Sequence, residues 1–300
     1  MSGSILITGA NGFLGSHIVQ RYSQTSEIEV IAVWQSNKHR LLMSPPPHVH
    51  YVQCDLTDQI AVQALFSSWN IDRVFHAAAL LPDGGDNYLN RAIRSNIITT
   101  ANLVECASNA GCGRFVYCSS ISVYGSSPCP DSGWKEDSMV APSCIYGWTK
   151  QAGEECLRLS AGLNGLSGVC LRLAGIHGKG RHSGVVHSLM KAAIDGSPLI
   201  VKNPDNCFQL LFIDDAVELS VLALESVFQK KYICFNAASH VYQSIQLMAK
   251  QIVDLCRSKS QIELKYISTN KESLMDTHEI IKELSFTPKS LKDSLSDFLK

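Results

Sequence analysis

Residues 5–17 read Ile-Leu-Ile-Thr-Gly-Ala-Asn-Gly-Phe-Leu-Gly-Ser-His, and no other stretch limits the fold as strongly. An apolar run of strand character enters the turn Gly9-Ala-Asn11-Gly12-Phe13-Leu14-Gly15, and a helical pattern leaves it. Glycines let the backbone turn tightly and approach a pyrophosphate, while the N–H groups and positive end of the helix stabilise the anion. Three glycines alone are weak evidence. The strand before them and the helix after them supply the context that the motif needs.

The rest of the first half repeats this alternation. Strands are expected at Ser4–Thr8, Glu29–Trp34, Val49–Cys54, Arg73–Ala79, Arg114–Ser119 and Gly168–Leu173. Helices are expected to Ser23, and over Asp58–Trp69, Asn87–Ala110 and Pro142–Ala161. Such alternation implies an α/β fold with a parallel sheet covered on both faces, and the strands are apolar on both sides as that requires. The second half is more mixed. Strands are expected at Asn206–Ile213, Tyr232–Phe235 and Glu263–Ile267, and helices at Asp214–Phe228, Ser244–Arg257 and Asp276–Leu284. This predicts a dinucleotide-binding domain over 1–173 and a smaller α/β lobe over 174–300, interleaved with the first, since no Gly/Ser-rich linker divides them.

Composition narrows the function. Lys+Arg at 26 against Asp+Glu at 27 excludes a strongly basic nucleic-acid binder. No apolar run is long enough to span a bilayer, and Met1–Ser4 carry no basic leader. The 11 cysteines form no C-x-x-C pair and the 10 histidines no metal-binding spacing, so a metal site is not expected. Buried free thiols in a reducing cytoplasm are the expectation instead.

The end of the second strand reports on the cofactor. NAD-selective sites place Asp or Glu there for the ribose 2′-OH. Here the segment is Trp34-Gln-Ser-Asn37-Lys38-His-Arg40, with no carboxylate and two cations. That suits a 2′-phosphate, and so NADP, with NAD as the alternative; as ordinary loop charges Lys38 and Arg40 would carry no such meaning. Asp55 can accept a hydrogen bond from the adenine amine or cap the helix near Thr57-Asp58. Tyr146-Gly-Trp-Thr-Lys150 puts a phenol and an ammonium on one helix face. The cation favours the phenolate, and such a tyrosine can exchange a proton with a carbinol oxygen while hydride moves at a nicotinamide. Ser119-Ser120 closes the fifth strand, where ligands collect in open α/β sheets.

With these residues the chain resembles the extended short-chain dehydrogenase/reductases of the NAD-dependent epimerase/dehydratase group. The matching stretches are Thr8–Gly15, Asp55-Leu56, His76–Ala79, Asn96, Ser119–Gly125, Tyr146–Lys150, Phe212–Asp215 and Leu284–Pro288. The resemblance implies a Rossmann-type doubly wound sheet with a small substrate lobe, and a triad of Ser120, Tyr146 and Lys150. It implies that Leu56, Ala77, Ala78 and Ala79 pass close to the cofactor, and that Asn96 fixes the helix and lysine geometry. It also implies a homodimer through the Asn87–Ala110 and Pro142–Ala161 helices.

Departures from the family pattern bear on the reaction. Ile121 and Ser122 stand where the dehydratases carry Asp-Glu, which argues against dehydration. A reductase of a keto-sugar or sugar-nucleotide carbonyl is expected, with a sugar 4-epimerase as the alternative; a non-catalytic dinucleotide-binding subunit is the rival of another class. On the substrate side Phe208, Gly175 and His177 replace the usual Arg, Asn and Tyr, and Tyr266-Ile267 occupy the region of a second expected Arg. Lys179, Arg181 and Lys202 are the nearby cations that can replace them; otherwise the substrate is smaller or less charged. His182, His187, Asp83, Asp86, Trp134 and Trp148 are further candidates whose ordinary roles are loop, surface or core.

Overall fold

The computed structural model describes residues 3–25, 28–36, 40–267 and 273–298. Six strands come from the first half: β1 (Ser4–Thr8), β2 (Val30–Trp34), β3 (Val49–Gln53), β4 (Ile71–His76), β5 (Arg114–Ser120) and β6 (Ser167–Leu173). With Tyr232–Ala237 they form a seven-stranded sheet, ordered Tyr232–Ala237, β6, β5, β4, β1, β2, β3. The pairs β1–β2, β1–β4, β2–β3 and β4–β5 are parallel. All five residues of β1 and of β2 are buried, as a sheet covered on both faces demands. Strand order reverses at β1, and this reversal opens a crevice beyond the carboxyl ends of β1 and β4.

Helices α1 (Phe13–Ser23) and α2 (Gln59–Ser68) follow β1 and β3. Asp58, not Asp55, caps α2: its Oδ1 accepts from the N–H of Ile60 at 2.9 Å and of Ala61 at 3.2 Å. The long helix expected after β4 is not uniform. It runs as α3 (Tyr88–Ala92), a π-helical turn Ile93–Ile98, and α4 (Thr99–Asn109). Helix α5 (Ile145–Ser160) starts later than its proline suggested, because extended Cys144 caps it, Sγ accepting from Gly147 N–H at 3.4 Å.

The chain divides into two compact units. The first holds Met1–Ser127, Met139–Arg172 and Val217–Phe235; the second holds Pro128–Ser138, Leu173–Ala216 and Asn236–Lys300. Two segments therefore lie on the other side of a bound drawn at 173. The first unit's core joins Leu6, Ile31, Val74, Leu103, Phe115 and Leu157. The second unit's core joins Leu189, Met190, Leu199, Met248, Ile252 and Leu295. Here the strand expected over Asn206–Ile213 breaks into Cys207–Phe208 and Leu210–Phe212. Buried Gln209 causes the break. Its amide donates to the carbonyls of Ser239 and Met275 and accepts from Met275 N–H at 2.6 Å, replacing the ladder at that point. Helices Val185–Ile194 and Leu291–Phe298 and strands Gly175–His177 and Leu199–Lys202 add to the elements that the sequence pattern predicts.

Candidate active site

Gly9 leaves β1 with φ +68°, and a Cβ there would sit 2.9 Å from the Ala78 nitrogen. A Cβ on Gly15 would lie 2.2 Å from the Gly9 carbonyl oxygen. The turn thus closes against the Ala77–Ala78 backbone only because those side chains are absent. Beyond it lies a cavity of about 900 Å³, its open mouth included. Gly9, Asn11, Gly12, Phe13, Leu14 and Gly15 line it, as do Trp34, Gln35, Ser36, Asp55, Leu56, Ala77, Ala78 and Ala79. Helix α1 opens onto it at Gly12 with no side-chain cap and no acidic residue in its first turn, leaving the anion-receiving end open. Residues of this kind fit a dinucleotide.

The side of the cavity lined by Gln35, Ser36 and Asp55 is polar, and the sequence places no carboxylate at the end of β2. Asp55 Oδ1 accepts from Thr57 N–H and Oγ1 and from Gln35 Nε2, so it organises the β3 exit rather than capping α2. The Arg40 guanidinium lies 5.6 Å from the centre of the Phe13 ring, a cation–π contact at the cavity wall. Asn37 and Lys38 lie outside the described residues.

Ser120, Tyr146 and Lys150 are not among the residues that line this cavity. Lys150 is buried, with only 2% of its surface exposed. Its Nζ donates to the Cys118 carbonyl at 2.6 Å and lies 5.8 Å from the Tyr146 ring centre. Burial lowers the ammonium to about 8. Helical spacing sets the two side chains on one face of α5, as the sequence implied. The paired serines separate: Ser119 Oγ donates to Glu154, whereas Ser120 Oγ accepts from Ser122 N–H at 3.2 Å as the cap of the Ile121–Val123 turn. Asn96 is not on the cavity wall. It is buried one layer behind, Oδ1 accepting from Leu80 N–H at 2.7 Å and Nδ2 donating to Thr149 Oγ1 at 3.0 Å. It therefore ties a cavity-lining loop to the residue beside Lys150.

Sequence reasoning missed the buried ion pair behind these groups. Arg172 Nε and Nη2 donate to both oxygens of Glu154, and Nη1 donates to the Tyr124 hydroxyl at 2.8 Å. The signals were present: Glu154 falls four residues after Lys150, and Arg172 interrupts an otherwise apolar strand.

The sequence profile described as "NAD dependent epimerase/dehydratase family" matches residues 5–238. The chain belongs to that family. Among its relatives, a UDP-N-acetyl-alpha-D-glucosaminuronate decarboxylase of Bacillus cytotoxicus is 26% identical, over 86% of this chain and 81% of that one. A dTDP-4-dehydro-6-deoxy-D-allose reductase of a Streptomyces species is 26% identical, over 98% of this chain and 94% of that one. The solved structure of MoeE5 in complex with UDP-glucuronic acid and NAD superposes with a TM-score of 0.83 at 26% identity, covering 98% of this chain and 97% of that one.

Within this epimerase/dehydratase chain the second unit places the departures from the family pattern as follows. Phe208 is half-buried in a two-residue strand, and Gly175 opens the strand paired with Leu210–Phe212. His177 is buried; its Nε2 shares a hydrogen bond of 3.2 Å with Ser294 Oγ, a hydroxyl that is also placed to donate to the Leu291 carbonyl at 2.8 Å. Burial lowers this imidazole to about 4, so it is neutral at working pH. The rings of His182 and His187 stand edge to face, 6.0 Å apart. Lys179 and Lys202 are exposed and Arg181 half-buried. Trp134 belongs to the second unit's buried side chains, Nε1 donating to the Pro128 carbonyl at 2.9 Å, while Trp148 is exposed on α5. Asp83 pairs with Arg91 in the loop after β4, and Asp86 is exposed. No helix among the described residues is long and apolar enough to cross a membrane.

Proposed function

We propose that this chain is an NADP-dependent reductase of a keto sugar nucleotide, transferring hydride to a sugar carbonyl carbon. The observation that carries it is the Tyr146–Lys150 pair: a buried ammonium beside a half-buried phenol, on the helix that Asn96 ties to the cavity wall. The first unit is read as the dinucleotide-binding domain and the second as the substrate lobe. A bound nicotinamide supplies hydride; everything else falls to the protein. Tyr146 gives its proton to the carbonyl oxygen as charge builds there. Lys150 stabilises the resulting phenolate and binds the nicotinamide ribose. Ser120 holds the substrate oxygen by a hydrogen bond. Gly9 to Gly15 receive the pyrophosphate, and Asp55 accepts from the adenine amine through the oxygen not engaged with Thr57.

The absence of a carboxylate at the β2 end, with Arg40 against Phe13, supports a 2′-phosphate and hence NADP over NAD. A 26%-identical reductase spanning nearly the whole chain supports reduction of a 4-keto sugar nucleotide. Epimerisation is the alternative; the MoeE5 complex, which holds NAD with a sugar nucleotide, favours NAD as the cofactor of such a reading. All 11 cysteines are free, which supports a reducing cytoplasmic setting. A homodimer through Tyr88–Asn109 and α5 follows by family analogy. Titration of the purified protein with NADPH and NADH, read by nicotinamide fluorescence, tests the cofactor assignment. Tighter NADPH binding to protein that purifies empty supports the releasing reductase; NAD retained through purification overturns it in favour of the epimerase.

A further inference from the structure

The polar side chains behind the cavity form a hydrogen-bond chain that runs from the Ala78 N–H to the Asn96 backbone carbonyl in one direction. Thr100 Oγ1 gives its proton to the Asn96 carbonyl at 2.6 Å. With that proton so placed, the oxygen offers a lone pair to His76 Nε2, 2.9 Å away, which assigns the ring proton to Nε2. His76 Nδ1 is then an acceptor, and it receives the Thr8 hydroxyl proton at 2.7 Å. The Thr8 oxygen in turn accepts from Ala78 N–H at 3.2 Å. At Asn96 the link passes covalently from the backbone carbonyl to the side chain. That side-chain amide donates to the Leu80 carbonyl and to Thr149 Oγ1, and Thr149 Oγ1 donates to the Tyr146 carbonyl at 2.8 Å.

We propose that His76 is a positioning residue for hydride transfer: as the Nε2–H tautomer it joins Thr8 to Thr100, and so holds the cavity wall at Ala78 in register with the first turn of α5, where Tyr146 sits. The role in transfer rests on the reductase reading above; the tautomer does not. Imidazole suits the place because it accepts on one side and donates on the other without a charge. The site keeps it neutral. His76 is 1% exposed, with the Phe115 and Tyr117 rings around it and Lys150 as the charged group acting on it. Burial first, and Lys150 second, lower the imidazole to about 3. A leucine would leave the Thr8 proton and the Thr100 lone pair without partners, whereas a glutamine can accept and donate in their place.

Two measurements test this. Nitrogen-15 NMR of ring-labelled histidine, assigned by loss of the signal in His76→Gln, reads the tautomer without any cofactor. A protonated Nε2 and bare Nδ1, unchanged from pH 5.5 to 9, is expected; an Nδ1–H tautomer or an imidazolium overturns the proposal. In the second, His76→Leu is expected to weaken dinucleotide binding about tenfold and to lower kcat, with His76→Gln restoring most of both. If His76→Leu fails to fold, Thr8→Val and Thr100→Val cut the same chain at either end and are expected to give the same pattern. Wild-type affinity and kcat in folded chain-breaking variants would overturn the proposal. A wild-type protein that binds no dinucleotide but shows the Nε2–H tautomer would remove the reductase reading, and with it the role in transfer, while leaving the chain's polarity established.

Discussion

Two buried cations stand in the first unit and are treated in opposite ways. Arg172 meets a carboxylate on two of its nitrogens and a phenol on the third, so its charge is fully answered. Lys150 is as deeply buried, yet its Nζ donates to a backbone carbonyl, that of Cys118, and its ammonium is destabilised to about 8. The guanidinium holds β6, α5 and the Tyr124 turn together. The ammonium is left poised beside a phenol. The answered charge suits architecture, and the incompletely paired one suits the chemistry proposed for Tyr146, since a buried ion without a counter-charge is the kind that titrates near neutral pH.

The largest effect should come from breaking the answered pair. Arg172→Met leaves Glu154 buried and unpaired, and is expected to cost about 3–5 kcal/mol in denaturant unfolding. The double variant Arg172→Met/Glu154→Met should be less destabilised than that single one. Equal losses in both would mean that Arg172 matters for its packing and not for its charge.

Lys150 should behave otherwise. Burial holds it at about 8 against its ordinary 10.5. Between those values the unfolded chain binds more protons than the folded one, so folding gains stability as pH rises through that window. Below pH 8 that contribution is lost. Lys150→Met has no such titration. The difference in Tm between wild type and Lys150→Met should therefore move in favour of wild type from pH 7 to pH 10. A difference that stays flat across that range would show the lysine to be ordinary in titration, and the contrast with Arg172 would fail.

A third cation sharpens the scale at its weak end. Arg40 rests against Phe13 at the cavity wall and is only half-buried. Arg40→Ala should weaken NADPH binding about tenfold, as loss of one charge-assisted bond to phosphate predicts, and leave NADH binding unchanged. Equal losses for both dinucleotides would assign Arg40 to packing on Phe13 instead.

Much of this arrangement could be read from the residues. Sheet strands and glycine turn follow from local pattern, because strands buried on both faces are apolar throughout and the turn needs glycine at fixed places. The fifth strand's end and the Tyr146–Lys150 spacing followed from the same logic. What could not be read depends on partners distant in sequence. Nothing around Ser119 and Ser120 says which of them Glu154 captures. Nothing near Asn96 announces a π turn that sets its amide between Leu80 and Thr149. In the second unit, buried Gln209 breaks a strand that its apolar neighbours predict. Helix Val185–Ile194 was legible in principle, since Val186, Leu189, Met190 and Ala193 make a helical stripe, but glycines before it masked its start.

The proposed part of Tyr146 and Lys150 in hydride transfer can be followed by supplying NADPH deuterated at nicotinamide C4 together with a 4-keto sugar nucleotide. The sugar product is then weighed by mass spectrometry, for wild type and for Tyr146→Phe. Wild type should deliver deuterium to the sugar. Tyr146→Phe should bind NADPH as tightly but transfer about a thousandfold more slowly, within the range that a lost general acid costs. Transfer at an equal rate in both would remove Tyr146 as the proton donor, and none from wild type with any 4-keto sugar nucleotide, dinucleotide binding being intact, would remove the reductase.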